Sequence, residues 1–436
     1  MSLSDLRKRW EVFSELVYYV FDSLVIPLIR ANFHVTESNV HRNRMFFFRH
    51  DVWRSLTEPA LVDLKQSMFE SVKTSDAQTL LRRRRLGYGV IRLLPKAVGL
   101  RPIMNLRRRV LASTRGGKKI LGPSINSLLA PVYNMLSYEK LTQPEKLGSG
   151  IFSVDDIYPK LKAFRARACP STASSSSSSS LSSFYFVKVD VQSCFDTIPQ
   201  TALLPLISSL VSQSEYRIDR HVQIQPPTTT SKPSRRFCAL AHPANDFTPF
   251  PDIIERTLAP GKKSAVFVTG MKPVYKSTTA LLALLQEHVE QNIVKIGKSF
   301  YRQKAGIPQG SVLSSLLCNF FYGDLEAKQL AFLKEEESLL LRLIDDFLLI
   351  TTNHAHAERF ARVMHAGFPD YGVTVRMDKT LTNFPISIDG RHPPRLPTKA
   401  LFPYGGTLVN TRTLEVSKDR ARKAGSSKAS FPLSFK

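Results

Sequence analysis

Two apolar segments of the sequence end on acid: Phe184-Tyr-Phe-Val-Lys-Val-Asp190 and Leu339-Leu-Leu-Arg-Leu-Ile-Asp345-Asp346. Both have the apolar, β-branched and aromatic character of buried strands. A carboxylate at the tip of a buried strand is costly to leave unpaired, because desolvation disfavours its charged form. The two segments therefore predict a fold that brings three carboxylates together around divalent cations. Paired metals held by aspartates are the usual apparatus for in-line attack on a phosphate, so the pattern indicates a candidate polymerase.

The chain is long enough for two or three structural units and is strongly basic. Its 436 residues include 61 Lys and Arg against 36 Asp and Glu, a formal net charge of +25. From Arg82 to Lys119 there are thirteen Lys or Arg and no acid. A short basic run is often a solvated face or a nuclear localisation signal. An acid-free stretch of this length favours a nucleic-acid partner, because neutralised phosphates release their counterions.

Cysteine usage and hydropathy indicate in which cellular compartments the protein is expected. The four cysteines are scattered and form no Cys-x-x-Cys pair, which argues for a reducing environment and against a zinc module or disulfide framework. The apolar stretch from Leu16 to Ile29 is interrupted by polar residues and Pro27, and it lacks a signal-peptide cleavage pattern. The spacing of apolar residues predicts an amphipathic helix over residues 3–30, with no secretion and no membrane.

Low-complexity stretches mark the insertions. Ser171 to Ser183 is nearly all Ser, and Gln225 to Arg236 is rich in Pro, Ser and Thr and interrupts residues 200–297. Two β-like pieces, Val90 to Leu94 and Arg101 to Asn105, predict a hairpin with a basic tip. Residues 60–85 are predicted to be helical, and so is the run from Thr278 to Ile293 within the second insertion.

The segment from Asp190 to Asp196 carries the first group of candidate site residues. Asp190 would bind metal, with the carbonyl of Val191 as a possible extra ligand. The ring of Phe195 would pack against the sugar of an incoming nucleotide and leave no room for a 2′-hydroxyl, although a lone Phe is more often an ordinary core residue. Asp196 is interpreted as a helix N-cap.

The segment from Leu339 to Thr352 predicts a tight hairpin with Asp345 and Asp346 at its turn. Asp favours turns, but turns usually place Gly or Asn beside it, and neither is present here. Two adjacent carboxylates repel each other unless a cation neutralises them. With Asp190 as a partner, two Mg²⁺ ions held by the three aspartates are the preferred interpretation over turn chemistry.

Two basic or glycine-rich segments are candidate nucleotide contacts. In the segment from Gln303 to Ser315, Gly310 would let the backbone approach a base or sugar, and Gln309 offers amide hydrogen bonds. Taken alone, that segment predicts mainly a capped helix. Lys96 and Arg101, on the basic hairpin, would grip a triphosphate and stabilise its developing charge.

Taken in order, these segments resemble a reverse transcriptase, and specifically the telomerase catalytic subunit family. Phe184 to Pro199 looks like the first palm motif, and Ala305 to Glu326 is similar to the template-and-nucleotide motif. Leu341 to Leu349 matches the metal hairpin, Asp378 to Phe384 matches the motif that follows, and Phe402 to Val416 resembles the primer grip.

Two features resemble telomerase more than other reverse transcriptases. Phe33 to Leu56 is similar to the telomerase-specific motif at the end of the RNA-binding domain, and the long segment before Tyr301 corresponds to the insertion in the fingers. The sequence departs from the family pattern at Phe195, where Tyr is frequent. It departs again at Tyr404-Gly405-Gly406, where Trp-Cys-Gly is usual.

The resemblance implies an α/β right-hand polymerase fold, with fingers, an antiparallel palm sheet packed on helices, and a thumb that is largely absent. It also implies that Lys379 protonates the departing pyrophosphate. The primer grip would comprise Tyr404, Gly405 and Gly406, and the RNA-binding residues would be Phe46, Phe47, Arg49 and Trp53. The implied domains are the end of the RNA-binding domain (1–60), fingers (61–183), palm (184–400, with the insertion at about 200–297) and primer grip with thumb stub (401–436).

The function implied is that of the telomerase catalytic subunit, which copies an RNA template to add deoxynucleotides to chromosome 3′ ends. Expected partners are telomerase RNA, a telomeric single-stranded DNA primer, dNTPs and accessory proteins, in the nucleus at the telomere. The family's chains extend beyond both ends of this one, so a fragment, a truncated gene model or a short isoform is expected. Two alternatives stay open: a retroelement or group II intron-type reverse transcriptase, and a catalytically idle RNA-binding fragment.

Overall fold

The structure is a computed structural model that describes residues 2–38, 44–96, 99–109, 111–115, 118–168, 184–227, 233–258, 260, 264–270, 272–333, 336–397 and 400–420. The predicted serine-rich insertion lies outside these residues. The chain forms two compact units: unit 1 comprises Met1–Ser67 and Ile91–Ile103, and unit 2 comprises Met68–Val90 and Met104–Lys436.

Helices and strands alternate along both units. The helices are α1 (Leu3–Tyr19), α2 (Ile26–Asn32), α3 (His50–Met68), α4 (Thr74–Arg83), α5 (Ile125–Leu128), α6 (Ala130–Thr142), α7 (Ile157–Ala168), α8 (Cys194–Thr197), α9 (Gln200–Leu210), α10 (Phe250–Ile253), α11 (Thr278–Glu290), α12 (Ser314–Gln329) and α13 (His354–Ala366). The strands are β1 (Phe33–Glu37), β2 (Met45–Arg49), β3 (Phe69–Val72), β4 (Gly89–Pro95), β5 (Leu100–Met104), β6 (Leu111–Arg115), β7 (Lys118–Leu121), β8 (Tyr185–Asp190), β9 (Glu215–Gln225), β10 (Ser234–Pro243), β11 (Val266–Thr269), β12 (Val274–Ser277), β13 (Ile293–Ile296), β14 (Ser299–Gln303), β15 (Ser338–Leu343), β16 (Asp346–Thr351), β17 (Leu381–Thr382), β18 (Leu401–Tyr404), β19 (Thr407–Asn410) and β20 (Val416–Lys418).

Unit 1 begins with a continuous helical stretch from Leu3 to Asn32, in which a π-helical turn joins α1 to α2. Pro27 lies directly after the π-helical turn Val20–Val25, a local change in the backbone hydrogen bonding, and the helical stretch continues through it. No residue of the stretch is buried, and its length and apolar composition alone would suffice to cross a membrane. The predicted helix is confirmed, whereas the expectation that it has no membrane role stays a prediction.

The rest of unit 1 is built on an antiparallel hairpin. Strands β1 and β2 pair from Phe33 opposite Arg49 to Glu37 opposite Met45, and α3 follows directly. A helical pattern was expected over residues 60–85, but the short strand β3 separates α3 from α4. The predicted basic hairpin is observed as the neighbouring strands β4 and β5.

Unit 2 contains the sheet that carries the acids, which we call the palm sheet; its order is β15-β16-β8-β17, and every pair is antiparallel. Its strands form because their apolar residues are buried on both faces. Phe186, Leu348 and Ile350 pack with Ile157 and Phe164 of α7 on one side, and α13 also packs against β8 and β16. The predicted α/β fold with an antiparallel palm sheet packed on helices is confirmed.

The long segment between β8 and β14 folds around a second antiparallel sheet, which we call the insertion sheet. Strand β9 pairs with β10 on one side and with β11 and β12 on the other. Helix α11 follows β12 and is capped by Ser277, whose Oγ accepts a hydrogen bond from the Ala280 N–H at 3.4 Å. The predicted helical run over 278–293 is therefore present, ending at Glu290.

Candidate active site

The acids of the two quoted segments meet on neighbouring strands of the palm sheet. Asp190 is the last residue of β8, Asp346 is the first of β16, and the two lie directly opposite each other in the antiparallel register. The N–H of Val191 donates to the carbonyl of Asp345 at 3.0 Å. Directly opposed residues have Cβ atoms about 5 Å apart, so one cation can bridge the two carboxylates. The sequence expectation that residue 190 lies beside residues 345 and 346 is confirmed.

The turn of the hairpin lies one residue earlier than the sequence indicated. Leu343 pairs with Asp346, so the two central turn residues are Ile344 and Asp345. Ile344 has φ +62°. A β-branched residue in this left-handed region costs about 1–3 kcal/mol, and such strain is concentrated at functional sites. This turn leaves Asp345 at the hairpin tip and makes Asp346 a strand residue.

Two lysines neutralise the opposed acids. The ammonium of Lys379 donates to the Asp190 carboxylate, and Lys188 Nζ lies 3.7 Å from Asp346 Oδ1. Like charges opposite each other on adjacent strands are destabilising, so these positive charges compensate the pair. The sequence analysis named Lys379 for a different role and missed Lys188. The available signal was a Lys in the middle of an otherwise apolar strand, two residues before Asp190 and therefore on the same face.

The fit of this site to divalent cations rests on its donors and its strand register. Three carboxylates and a backbone carbonyl are oxygen ligands of the kind that Mg²⁺ prefers. Across the part of the chain that the structure describes, no group of three or more His, Cys, Asp or Glu side chains is already arranged to hold a metal. Lys379 holds Asp190 instead, so metal binding at this site requires that ammonium to move away.

A buried ion pair fixes the strand that leads into the hairpin. The guanidinium of Arg342, fully buried on β15, donates to Glu326 Oε1 at 2.5 Å and to Asn319 Oδ1 at 2.7 Å, both on α12. A third donor reaches the Leu147 carbonyl at 2.8 Å, and the Ser149 N–H donates to the other Glu326 oxygen at 2.5 Å. Because its hydrogen bonds are satisfied, this network locks β15 to α12 three residues before Asp345.

The predicted primer-grip residues lie directly beside the acidic hairpin. Tyr404 is buried, and its hydroxyl donates to the Asp346 carbonyl at 3.0 Å. Burial, with the negative charge of Asp346, raises the pKa of Tyr404. Gly405 and Gly406 form the tight turn between β18 and β19, with φ +57° and +87°, where glycine has no Cβ to clash. Tyr404 therefore ties β18 to the first residue of β16 through this hydrogen bond. The glycine turn follows Tyr404 directly in the sequence.

The residues after Asp190 meet the glycine-rich loop of the template-like motif. Val191 is buried, and the ring of Phe195 is partly buried. The Phe195 carbonyl accepts a hydrogen bond from the Ile307 N–H at 2.6 Å. A Cβ on Gly306 would lie 2.4 Å from that carbonyl, so only glycine allows this close approach.

Gln309 and Gly310 lie on the same loop, and the contact of Gln309 shows that the predicted role of Asp196 as a helix N-cap is wrong. Gln309 Nε2 donates to Asp196 Oδ1 at 2.7 Å. Asp196 is therefore not a helix N-cap: Ser193 precedes α8, and the Asp196 carboxylate holds the predicted nucleotide-binding amide. Gly310 has φ +106°, and its carbonyl accepts from Asn126 Nδ2 at 3.1 Å.

The remaining candidate residues belong to unit 1. Lys96 is exposed at the end of β4, where its N–H donates to the Gly99 carbonyl at 3.0 Å, and Arg101 is partly buried on β5. The predicted RNA-binding residues of the β1–β2 hairpin fall on two faces. Phe47 is 55% exposed, whereas Trp53 stacks on His34 with ring centroids 4.2 Å apart.

Alternation along β2 explains the separation of those residues. Phe46 and Phe48 share the face that Trp53 covers, and Phe47 and Arg49 point to the other. Arg49 donates to Asp51 at 2.9 Å, with both side chains exposed. Phe47 and Arg49 are therefore exposed on one face of the hairpin, and Phe46 lies on the face that packs with Trp53.

The palm sheet, the opposed aspartates and the buried hairpin support define the class of right-hand polymerases. A family model described as "Telomerase ribonucleoprotein complex - RNA binding domain" matches residues 1–64, and one described as "Reverse transcriptase (RNA-dependent DNA polymerase)" matches residues 267–391. The fold is similar to the structure of telomerase from Candida albicans in complex with a TWJ fragment of telomeric RNA. That likeness has a TM-score of 0.67 at 19% identity and covers 96% of this chain and 59% of that one.

Curated relatives match nearly the whole chain. Telomerase reverse transcriptase of Rattus norvegicus is 32% identical over 95% of this chain, and that of Bos taurus is 33% identical over 97%. The chain spans 37% of the length of each of these relatives. It belongs to the telomerase reverse transcriptase family.

Proposed function

We propose that this chain is the fingers-and-palm part of an RNA-directed DNA polymerase of the telomerase type, which adds deoxynucleotides to a DNA 3′ end by copying an RNA template. The observation that carries the proposal is the register of the palm sheet, which sets Asp190 opposite Asp346 and brings Asp345 to the tip of the same hairpin. Membership of the telomerase reverse transcriptase family supports the same reaction.

The acids are the proposed ligands of two Mg²⁺ ions, which, when bound, supply charge neutralisation and activation of the attacking 3′-hydroxyl. Asp190, Asp345 and Asp346 would hold them, with the Val191 carbonyl as an additional ligand. In the structure, the Lys379 ammonium donates a hydrogen bond to the Asp190 carboxylate. Once displaced from Asp190, its ammonium would be the proton donor for the leaving pyrophosphate, on the same side of the site.

The nucleotide would lie between Phe195 and the glycine-rich loop. Phe195, partly buried and five residues after Asp190, would exclude a 2′-hydroxyl, while Gln309 and Gly310 would contact the base and sugar. Lys96 and Arg101 would bind the triphosphate as charge-assisted donors. The primer 3′ end would rest on the Gly405–Gly406 turn, which Tyr404 anchors to Asp346.

The proposed partners are telomerase RNA, a telomeric single-stranded DNA primer, dNTPs and accessory proteins, in the nucleus at chromosome ends. The net charge of +25 supports a polyanionic partner. The family match over residues 1–64 and the exposed Phe47 and Arg49 support RNA binding at the β1–β2 hairpin. The domain boundaries given above remain proposals.

Primer extension tests the proposal directly. With Mg²⁺, labelled dNTPs and an RNA template annealed to a DNA primer, the protein is expected to extend the primer. Asp345→Ala is expected to lose roughly a thousandfold in rate, since several kcal/mol of transition-state stabilisation depend on bound metal. Asp370→Ala, an exposed acid outside the site, is the matched control.

Two results would contradict this function. Extension unchanged in Asp345→Ala would show that the metal assignment is wrong. Absence of magnesium-dependent incorporation by the folded wild-type protein, with RNA binding retained, would favour an RNA-binding scaffold. Thermal melting of each variant by circular dichroism separates loss of chemistry from loss of fold.

A further inference from the structure

The loop from Gly306 to Val312 is held in place by side chains from several distant parts of unit 2. Asn126, on α5, makes two of these contacts: its Nδ2 donates to the Gly310 carbonyl at 3.1 Å, and its Oδ1 accepts from the Val312 N–H at 3.2 Å. The side chain is nearly buried. A bidentate amide on both sides of Ser311 fixes the backbone of that residue, because either rotation would break one bond.

The residue between those two contacts is held by the insertion helix α11. His288 is 1% exposed, and its Nε2 lies 2.8 Å from the Ser311 hydroxyl. The same hydroxyl oxygen accepts from the Leu313 N–H at 3.2 Å. Burial, reinforced by the positive charge of Arg84, lowers the pKa of His288 to about 3, so the imidazole is neutral near pH 7.

The helix that carries His288 is itself anchored. Arg84 donates to the Gln291 carbonyl at 2.5 Å and to the Gly87 carbonyl at 2.6 Å, and the Leu86 N–H donates to Glu287 Oε1 at 3.0 Å. Arg84 therefore uses its charge to lock the end of α11, although it belongs to the basic run that the sequence assigned to nucleic acid. The position of His288 is fixed by these contacts.

The third contact is Asp196, which accepts from the Gln309 amide at 2.7 Å. Asp196 follows Phe195, so the loop and the residues after Asp190 are tied through one side-chain hydrogen bond. Asn126, His288 and Asp196 form what we call the loop clamp. Its three members hold three consecutive residues, Gln309, Gly310 and Ser311.

We propose that the loop clamp sets the affinity of the site for the incoming deoxynucleotide, with Asn126 and His288 as positioning residues. The inference rests on the proposed function, because it assigns the nucleotide contacts to Gln309 and Gly310. The side-chain hydrogen bonds described above run from the clamp to the loop, and none of the three clamp members is a proposed metal ligand. Loosening it misplaces the nucleotide contacts without removing the metal ligands, so binding of dNTP suffers more than the chemical step.

The test compares leucine variants of the clamp in RNA-templated primer extension. Asn126→Leu removes two hydrogen bonds to the loop and His288→Leu removes one, and each is expected to raise KM for dNTP by about tenfold or more, with a smaller fall in kcat. His288→Gln keeps a donor and an acceptor at similar reach and is expected to restore KM to within about threefold of the wild type. A residue that acted only through overall stability would leave KM for dNTP near the wild-type value in its leucine variant as well.

Asn383→Leu is the matched control. Asn383 makes the same kind of bidentate contact with backbone, accepting from the Phe186 N–H and donating to the Phe184 carbonyl, both at 2.8 Å, at the opposite end of β8 from Asp190. It is expected to share the loss of thermal stability and to leave KM for dNTP within about twofold. Equal KM values for the clamp variants and the wild type would overturn the inference while leaving the proposed polymerase in place.

Hydrogen exchange provides a readout that needs no turnover. Amides within 306–313 are expected to exchange about tenfold faster in Asn126→Leu and His288→Leu than in the wild type, and unchanged in Asn383→Leu. If the wild-type protein fails to extend a primer, the proposed function fails, and the nucleotide-affinity inference fails with it. Unchanged exchange in the clamp variants would independently contradict the clamp.

Discussion

The palm sheet and the insertion sheet are both antiparallel sheets of unit 2, and they differ in what surrounds them. In the palm sheet, β16 is buried at every position after Asp346. In the insertion sheet, β9 is longer, with 11 residues, yet Phe237 beside it is 72% exposed and Val266 is 57% exposed. A strand that is buried on both faces tolerates charge only where the charge is compensated or reaches the strand end.

That difference explains why charged residues indicate a functional site in the palm sheet, whereas a charged residue at an exposed position of the insertion sheet does not. Asp190 and Asp346 stand at the ends of strands whose interior positions are apolar apart from Lys188, and each has a lysine partner. In the insertion sheet, Arg220 is exposed on β9, and such a charge at a solvated position needs no functional explanation. The sequence pattern therefore locates a site only where burial makes an unpaired charge costly.

The largest expected effect is the loss of the buried arginine of the palm sheet. Arg342→Leu leaves Glu326 buried without its cation, so the free energy of unfolding is expected to fall by about 3–5 kcal/mol. Arg220→Leu, on a strand of the insertion sheet, is expected to change it by less than about 0.5 kcal/mol. Urea denaturation followed by circular dichroism measures both. Equal effects would show that the two sheets do not differ in how they use charge.

The same contrast is expected for apolar residues, with a smaller effect. Ile350→Ala, in the core of the palm sheet, is expected to lower the free energy of unfolding by about 2–4 kcal/mol, because it leaves a cavity. Ile224→Ala, on the partly exposed face of β9, is expected to cost about 1 kcal/mol, since part of the side chain already contacts water. A cost for Ile224→Ala that matches that of Ile350→Ala would mean that the insertion sheet has a core of its own at that position.

A titration at the helix that follows the insertion sheet should give a change of about 1.4 kcal/mol per pH unit at most. The pKa of His288 is lowered to about 3 by burial and by Arg84, against 6.5 for ordinary histidine. Between these values the unfolded chain binds a proton that the folded chain does not. The stability contributed by neutral His288 is therefore complete above pH 6.5 and is lost as the pH falls toward 3.

The measurement is the difference in free energy of unfolding between wild type and His288→Gln at pH 7, 6 and 5. The wild type is expected to lose more stability than the variant below pH 6.5, because the variant has no imidazole to titrate. Parallel curves would contradict the burial of a neutral imidazole at this position.

The smallest expected change in the free energy of unfolding concerns two buried tyrosines near the acids, and its sign differs between them. Among the described residues, the Tyr322 hydroxyl has no hydrogen-bond partner although the side chain is fully buried, whereas the Tyr404 hydroxyl donates to Asp346. Tyr322→Phe is expected to stabilise the fold by about 1 kcal/mol, and Tyr404→Phe to destabilise it by about the same amount. Differential scanning calorimetry measures both, and a lower melting temperature for Tyr322→Phe would show that its hydroxyl has a partner in solution.

The part of the fold that sequence could predict is the part where local pattern and burial agree. The acids at the ends of two apolar strands allowed the prediction that these residues lie close together. The antiparallel register then places Asp190 opposite Asp346. The basic hairpin and the helix at Leu3–Asn32 were also predictable, because their periodicity is local. Strand β3 was missed because four residues, Phe69 to Val72, carry too little pattern to interrupt a helical run.

The supports of the site could not be predicted, because each depends on a partner that is remote in sequence. Arg342 can be recognised in the sequence as a charge inside an apolar strand, but no nearby residue pattern identifies Glu326 as its partner. Asp196 has the spacing of a helix cap, and only the fold shows that it binds Gln309 instead. The hydrogen bond between His288 and Ser311 likewise joins an insertion helix to a loop that follows two further strands.

The measurement that tests the central claim most directly is anomalous X-ray scattering from crystals of the protein grown with Mn²⁺ in place of Mg²⁺. The account predicts a peak between the carboxylates of Asp190 and Asp346, within reach of Asp345, with Lys379 displaced from Asp190, and loss of that peak in Asp190→Asn. Strong manganese peaks elsewhere on the protein and none between these aspartates would contradict it.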